Sequence, residues 1–155
     1  MPLSSFQPDQ YDALLDAKLA TIKQHFNTLG APSPQIFRSP ESGFRLRAEF
    51  RLWHEGDDLH YVMFRRDDPK TPVIIEQFPI ASQPIQVLMP ELLRGLKAVH
   101  ELRHKVFQVE FLSTLSGDMV VTVIYHRPLG EAWQHHAEQL AKNLDINLIG
   151  RSKKQ

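Results

Sequence analysis

The chain has 155 residues, a formal net charge of zero, 42% hydrophobic residues and no cysteine. This length and apolar content suit one domain with its own core. The lack of cysteine excludes disulfides, thiolate metal sites, iron–sulfur clusters and cysteine nucleophiles. Because no apolar run approaches the roughly 18 residues of a membrane span and no signal-peptide pattern opens the chain, we expect a cytoplasmic protein with no membrane partner.

The first predicted element is a helix over residues 8–29, with Pro8 suited to its first turn and Gly30 to its end. One apolar stripe, with spacings of three and four, comprises Leu15, Leu19, Ile22, Phe26 and Leu29. We expect this stripe to pack on the domain's own sheet. A surface for a partner helix is the alternative.

After a loop rich in Pro and Ser, residues 44–54 alternate with a period of two. One predicted face carries Phe44, Leu46, Ala48, Phe50 and Leu52, and the other carries Arg45, Arg47, Glu49, Arg51 and Trp53. This pattern predicts a half-buried strand with guanidinium groups on its wet face. Such groups suit phosphates and base edges, and Trp53 can stack on a base. Pairing of the arginines with carboxylates such as Glu49 and Glu41 is the other interpretation.

The remaining sequence predicts two hairpins, further strands and two more amphipathic helices. The expected elements are a turn at 55–58, strands over 59–66 and 73–77, a helix over 85–99 that Pro90 begins or kinks, a hairpin joining 106–115 to 119–126, a helix carrying Trp133, Leu140 and Leu144, and a strand over 146–149. The order favours an α+β domain with a mainly antiparallel sheet, built from two hairpins plus extra strands, and about three amphipathic helices packed on it.

The residue patterns contain no recognisable active site. The seven glycines are isolated, so no phosphate loop or dinucleotide fingerprint is present. The eight histidines lack the spacing of a metal site, and we expect them at the surface with no metal bound. The run from His54 to Asp58 has the composition of a cation loop, but between two strands it is interpreted as a turn. A small hydrolase using this turn is the least favoured function.

Several segments, in this order along nearly the whole chain, carry a family resemblance: Phe37-Arg38-Ser39-Pro40, residues 44–58, Ser82, residues 102–108, residues 112–116, Tyr125-His126 and residues 148–151. They closely resemble the N-terminal half of bacterial tRNA (uracil-5-)-methyltransferases. The resemblance implies an enzyme that makes ribothymidine in the T loop of tRNA with S-adenosylmethionine. The cysteine-free sequence resembles this tRNA branch more than the related ribosomal-RNA enzymes, which carry a four-cysteine cluster.

The resemblance also implies that residues 1–155 form a single N-terminal RNA-recognition domain. The Rossmann-like methyltransferase domain of the family, with its cofactor loop, cysteine nucleophile and general base, is then expected to be absent from this chain. C5 of uracil becomes nucleophilic only after a thiolate adds at C6. Without cysteine, the chain alone is not expected to be catalytic or to bind the cofactor.

The resemblance implies T-loop contacts for Arg51 and Phe107. Phe107 shares phase with Val109 and Phe111, which by itself predicts the core, whereas a place at the sheet rim would free it to stack on a base; the resemblance favours the rim. The further RNA-binding candidates are Arg45, Arg47, Glu49, His126, the basic cluster Arg103, His104 and Lys105, and the tail Arg151-Ser152-Lys153-Lys154. We therefore expect a domain that grips the tRNA T arm and helps hold the target uridine flipped toward a catalytic domain. A protein-interaction domain with no RNA role is the alternative.

Overall fold

The computed structural model describes residues 6–153 and confirms the α+β class. A short 3-10 turn at Pro8–Gln10 leads into the first α-helix. In chain order, the elements are α1 (Tyr11–Asn27), β1 (Arg47–Glu55), β2 (Asp58–Phe64), β3 (Pro72–Ile74), α2 (Gln83–Ala98), α3 (His100–Arg103), β4 (Val106–Ser113), β5 (Met119–Tyr125), α4 (Glu131–Leu144) and β6 (Asn147–Ser152). Most strand bounds lie within a few residues of the prediction. Pro90 lies inside α2 instead of beginning it.

The strands form one sheet in the order β3-β2-β1-β4-β5-β6. Both predicted hairpins are confirmed, and all neighbouring strands are antiparallel except β5 and β6, which run parallel. Glu55 pairs with Asp58, so the first hairpin turns on Gly56 and Asp57. Gly56 has φ 61°, a conformation that glycine adopts without the steric penalty of a Cβ. The parallel step to β6 requires a crossover, which α4 supplies.

One face of the sheet packs against α2, α3 and α4 to form the core. At its centre, neighbouring rings with centroids 5.0 to 6.2 Å apart belong to Phe50, Tyr61, Phe78 and Phe111. The buried Tyr61 hydroxyl donates to the Met89 carbonyl at 2.9 Å, and the Tyr125 hydroxyl donates to the Leu102 carbonyl at 2.9 Å. These bonds fix the sheet to α2 and α3. Burial raises the pKa of Tyr125 to about 12.

The opposite face of the sheet, the open face, is the more exposed one along β1, β4, β5 and β6, whereas Val62 of β2, which lies opposite Arg51, is buried on it. In β1, Arg47, Glu49 and Arg51 are exposed on this face, while the residues between them are buried in the core. This alternation confirms the predicted half-buried strand, since a strand directs successive side chains to opposite faces. In the ladder with β4, Arg51 lies opposite Gln108. The strands β1, β4, β5 and β6 therefore share one solvent-facing surface.

The predicted packing of the α1 stripe on the sheet is wrong. No residue of α1 is buried, and Ile22 and Phe26 are 43% and 49% exposed. The helix is attached near its start, where the Tyr11 hydroxyl accepts a hydrogen bond from the Ser39 backbone N–H at 3.0 Å. A cavity of about 570 Å³ lies between this end of α1 and the loop before β1. Helical periodicity predicts an apolar stripe, but it does not say which surface covers it.

Within residues 6–153, no helix combines the length and the apolar character that a membrane crossing needs.

Candidate nucleic-acid interface

A β-bulge at the start of β4 determines where Phe107 points. Val106 lies opposite Tyr125, whereas Gln108 lies opposite Ile124, so Phe107 is an extra residue in the ladder. A bulge re-aims a side chain that regular alternation would place on the other face. Phe107 therefore leaves the phase of the buried Val109 and is only half-buried.

Three polar side chains surround the Phe107 ring. The imidazole of His126 stacks on it with the ring centroids 4.0 Å apart and the planes at 24°. The guanidinium carbon of Arg51 lies 4.3 Å from the ring centroid, and the ammonium nitrogen of Lys153 lies 4.7 Å from it. We call these four residues, Phe107, His126, Arg51 and Lys153, the Phe107 cluster. It unites β1, β4 and the ends of β5 and β6 on the open face.

The two cations of the Phe107 cluster differ from the other arginine on the same face of β1 in their ion pairing. Among the described residues, neither Arg51 nor Lys153 forms an ion pair with a carboxylate. Arg47, on the same face of β1, is instead 3.4 Å from the Glu49 carboxylate and 4.0 Å from that of Glu110. Cation–π contacts at exposed sites stabilise by only about 0.5–1 kcal/mol, so Arg51 and Lys153 remain available to a stronger anionic ligand.

Hydrogen bonds to successive carbonyls fix the segment that leads into Phe107. Arg127 Nε donates to the His104 carbonyl at 3.0 Å. The next carbonyl, that of Lys105, accepts a hydrogen bond from the His126 backbone N–H at 3.0 Å. Lys105 itself has φ 56°, the left-handed conformation that non-glycine residues rarely adopt. The chain thus turns sharply just before Phe107 and is fixed on both sides of that turn.

His54 supplies the third of these contacts, and the sequence did not indicate it. Its Nε2 lies 2.8 Å from the Val106 carbonyl oxygen and donates to it, although the two residues are 52 positions apart. Sequence reasoning placed His54 at the end of the predicted strand and the start of the acidic turn, because a side-chain contact to a distant backbone carbonyl leaves no local pattern. The strand phase puts His54 on the core side of β1, but the residue is exposed at the end of the strand, so burial gave no signal that its side chain needs a partner.

The predicted basic cluster of Arg103, His104 and Lys105 is not one surface. Arg103 donates to the Lys97 carbonyl at 2.6 Å and to Asp57 at 2.8 Å, so it joins α2 to the first hairpin. Partial removal from water, with a smaller contribution from the neighbouring His100, lowers the pKa of His104 and favours its neutral form. Lys105 is exposed. The structure therefore leaves Lys105 as the candidate phosphate ligand of this trio.

Two further predicted residues lie away from the Phe107 cluster. Arg45 lies outside β1, which begins at Arg47, and forms an isolated bridge with Ala81. Its side chain lines the cavity beside α1. Glu49 is exposed on the open face, where it pairs with Arg47. Of the predicted basic tail, Lys154 lies outside the described residues.

The acidic turn of the first hairpin has structural partners. Asp58 forms an ion pair with Lys97 and accepts a hydrogen bond from the Leu59 backbone N–H at 2.9 Å. The hydrogen bond with Lys97 is the main reason that the pKa of Asp58 lies below its ordinary value. Over residues 6–153, no group of three or more His, Asp or Glu side chains is placed to hold a metal ion. The predicted turn is confirmed.

Comparison with known proteins identifies the family. A family model described as tRNA (Uracil-5-)-methyltransferase matches residues 10–155. The chain belongs to this family. The part that matches the tRNA (uracil-5-)-methyltransferase model includes every residue of the Phe107 cluster.

Individual tRNA (uracil-5-)-methyltransferase relatives are similar over nearly the full chain. A Pseudomonas fluorescens protein named tRNA/tmRNA (uracil-C(5))-methyltransferase is 51% identical over 149 residues, which are 96% of this chain and 42% of the relative. Proteins of the same name from Stutzerimonas stutzeri and Aromatoleum aromaticum are 50% and 46% identical, over 99% and 100% of this chain and 42% of each relative. The chain thus spans less than half the length of the relatives it matches.

Proposed function

We propose that this chain is the tRNA-binding domain of a tRNA (uracil-5-)-methyltransferase and that it recognises the T arm through the Phe107 cluster. One observation carries the proposal. An aromatic ring lies on an open sheet face beside two cations, Arg51 and Lys153, which have no carboxylate partner among the described residues. Sequence-selective RNA recognition commonly stacks an unpaired base on an aromatic side chain and fixes register through phosphates.

Each member of the cluster has a distinct role in this proposal. Phe107 and the imidazole of His126 form a stack that an unpaired T-loop base extends. The planar guanidinium of Arg51 suits a phosphate or a base edge, and the compact ammonium of Lys153 acts as a point charge toward phosphate. When the base joins the stack, both cations exchange a weak contact with the ring for a charge-assisted hydrogen bond. The exposed Lys105 extends the phosphate contacts next to Phe107.

Methyl transfer requires groups that this chain does not offer. The glycines with positive φ lie in separate turns rather than in one loop that cradles a cofactor, and the chain has no cysteine to add at C6 of uracil. These residues do not fit a site for S-adenosylmethionine. We therefore assign cofactor binding and catalysis to the portion of the relatives that this chain does not span. In this arrangement the domain holds the T arm while the target uridine is flipped toward that portion, in the cytoplasm, where tRNA is modified.

The test is binding of a T-arm RNA hairpin, measured by filter binding at low and high salt. Phe107→Ala should weaken binding by about 1–3 kcal/mol if the ring stacks on one base. Phe26→Ala is the matched control, since Phe26 is an exposed phenylalanine on α1 that is not part of the Phe107 cluster. Equal affinity of the wild type and Phe107→Ala would contradict the stacking role. A loss of affinity counts as support only if Phe107→Ala unfolds at the same urea concentration as the wild type.

The exposed stripe of α1 favours a second candidate, a protein-interaction domain with no RNA role. Ile22 and Phe26 of α1 are 43% and 49% exposed, and Leu29, in the turn just after the helix, is 73% exposed. Failure of the wild-type chain to bind the T-arm hairpin even at low salt would support this candidate over RNA binding. Conversely, a variant with Asp at positions 22 and 26 should bind the hairpin like the wild type if the Phe107 cluster is the binding site.

A further inference from the structure

The hydrogen bond between His54 and the Val106 carbonyl occurs where the sheet loses its regular pairing. The ladder between β1 and β4 ends at Arg51 and Gln108. The bulge on the other side of β4 begins at Val106. The Val106 carbonyl therefore lies beyond the regular ladder with β1, and His54 Nε2 binds it at 2.8 Å. A backbone acceptor that leaves a ladder needs another donor, and here a side chain supplies it.

We propose that His54 is a positioning residue for RNA recognition, which fixes the bulge so that Phe107 is presented on the open face. This inference rests on the proposed function. The carbonyl that His54 holds belongs to the peptide unit joining Val106 to Phe107. Rotation of that unit changes ψ of Val106 and φ of Phe107, and with them the direction of the Phe107 side chain. A hydrogen bond at this carbonyl therefore acts directly on the orientation of the ring.

The neighbouring hydrogen bonds explain why the bond from His54 to the Val106 carbonyl controls the direction of the Phe107 ring. The carbonyls of His104 and Lys105 are held by Arg127 and by the backbone of His126. These bonds fix the chain up to the sharp turn at Lys105. His54 then holds the last peptide unit before the ring. Without it, the direction of the Phe107 ring would depend on its contacts with the side chains of His126, Arg51 and Lys153, and in the proposed function both cations move toward RNA.

The chemistry of the donor provides a specific rescue. A neutral imidazole donates from Nε2 in one tautomer, and an imidazolium donates from both nitrogens. The side-chain amide of glutamine places an N–H donor at about the same distance from the backbone. His54→Gln should therefore keep the hydrogen bond, whereas His54→Ala should remove it.

The experiment measures T-arm hairpin affinity for five variants of this chain: His54→Ala, His54→Gln, Phe107→Ala, the double variant of His54→Ala with Phe107→Ala, and the control His135→Ala. His135 is an exposed histidine on α4. His54→Ala should weaken binding roughly two- to twelvefold, the range expected for one lost hydrogen bond. His54→Gln should recover most of this loss, and His135→Ala should bind like the wild type.

The double variant separates positioning from a general effect on folding. If His54 acts through Phe107, removing His54 should cause no further loss once Phe107 is alanine. An equal loss in both backgrounds, or no loss when Phe107 is present, would overturn the inference. The urea midpoint of each variant shows how much of any loss is unfolding.

A measurement without RNA distinguishes failure of this inference from failure of the proposed function. In the free protein, the Phe107 ring 4.0 Å from the His126 imidazole shifts the His126 ring protons in an NMR spectrum. His54→Ala should move these resonances toward their positions in Phe107→Ala, and His135→Ala should leave them in place. Unchanged His126 resonances in His54→Ala would refute the positioning role. If the resonances move but Phe107→Ala binds RNA normally, the proposed function fails and the positioning of Phe107 stands.

Discussion

Replacing Arg51 with Ala should remove one phosphate contact, whereas the same change at Arg47 should not, although both arginines lie on the open face of β1. Their surroundings differ in two respects, the neighbouring carboxylates and the Phe107 ring. Arg47 has the carboxylates of Glu49 and Glu110 at 3.4 and 4.0 Å. Arg51 has no such partner among residues 6–153 and lies over the Phe107 ring at 4.3 Å. An arginine already paired with two acids gains less from a phosphate than an unpaired one.

The expected magnitude follows from counterion release. Each phosphate that a cation neutralises contributes about 0.7 (single strand) to 0.9 (duplex) to the slope of log affinity against log salt. Raising salt from 50 to 200 mM should therefore cost Arg51→Ala about threefold less affinity than it costs the wild type. Arg47→Ala should have a slope close to that of the wild type.

The assay is filter binding of a T-arm hairpin over a series of KCl concentrations, with Arg51→Lys as a further variant. Lysine keeps the charge but loses the planar fork that binds two acceptors at once. Arg51→Lys should therefore keep the wild-type slope while binding more weakly at every salt concentration. This separates the charge of Arg51 from its geometry.

Two results would refute the reasoning. If Arg51→Ala binds weakly but keeps the wild-type slope, Arg51 contacts a base or the Phe107 ring and no phosphate. If Arg47→Ala flattens the slope as much as Arg51→Ala, pairing with Glu49 and Glu110 does not decide which arginine meets RNA. Thermal unfolding of each variant should stay close to that of the wild type, because exposed cation–π and ion-pair contacts contribute about 1 kcal/mol or less.

Two predictions concern the fold that carries the site. A Cβ at position 150 would lie 2.1 Å from the Trp133 ring, so Gly150→Ala should lower the free energy of unfolding in urea by about 1–3 kcal/mol. At Gly130 a Cβ meets nothing within 4 Å, so Gly130→Ala should lower it by no more than the roughly 1 kcal/mol that a poorer N-cap residue for α4 costs. The hydrogen bond from Lys97 makes the pKa of Asp58 lower in the folded protein than in the unfolded chain, where it is near 4. The stability that this interaction contributes is therefore complete at pH values above the unfolded-state pKa and is lost as the pH falls through the folded-state pKa. The melting temperature of Asp58→Asn should therefore lie below that of the wild type at pH 5–7 and approach it at more acidic pH; a constant difference down to pH 2 would exclude this role.

Local patterns in the sequence were sufficient to predict most of the fold. The period of two over residues 44–54 identified the open face of β1, and the Gly-containing turns identified both hairpins. Each of these features depends on residues that are neighbours in the chain. The packing of α1 depends on tertiary contacts instead, and there the prediction was wrong.

In the candidate site, too, features that depend on contacts between distant residues could not be predicted from local sequence patterns. The bulge at Phe107 arises from a mismatch between the residue counts of β4 and β5, so strand phase alone pointed Phe107 to the core. Arg103 and Lys105 are close in sequence, yet Arg103 binds the Lys97 carbonyl of α2 and the Asp57 carboxylate of the first hairpin, whereas Lys105 is exposed. Lys153 was one of several basic residues in a predicted tail, and the parallel pairing of β6 with β5 brings it within 4.7 Å of the Phe107 ring centroid. The RNA-binding role of these residues stays a prediction.

A net charge of zero is compatible with a binding site for a polyanion because the acids are unevenly distributed. Five carboxylates are engaged in ion pairs that involve no residue of the Phe107 cluster: Arg38–Asp12, Arg65–Asp67, Arg94–Glu91, Arg103–Asp57 and Arg127–Glu101. These pairs neutralise cations that would otherwise attract RNA to unrelated surfaces. Among the described residues of the open face, Arg51 and Lys153 have no carboxylate partner and lie beside the ring that the bulge turns outward, and the exposed Arg151, opposite Ile124, adds a further unpaired cation. Overall charge therefore understates what the fold can bind, since the local field at the Phe107 cluster depends on which cations the acids leave unpaired.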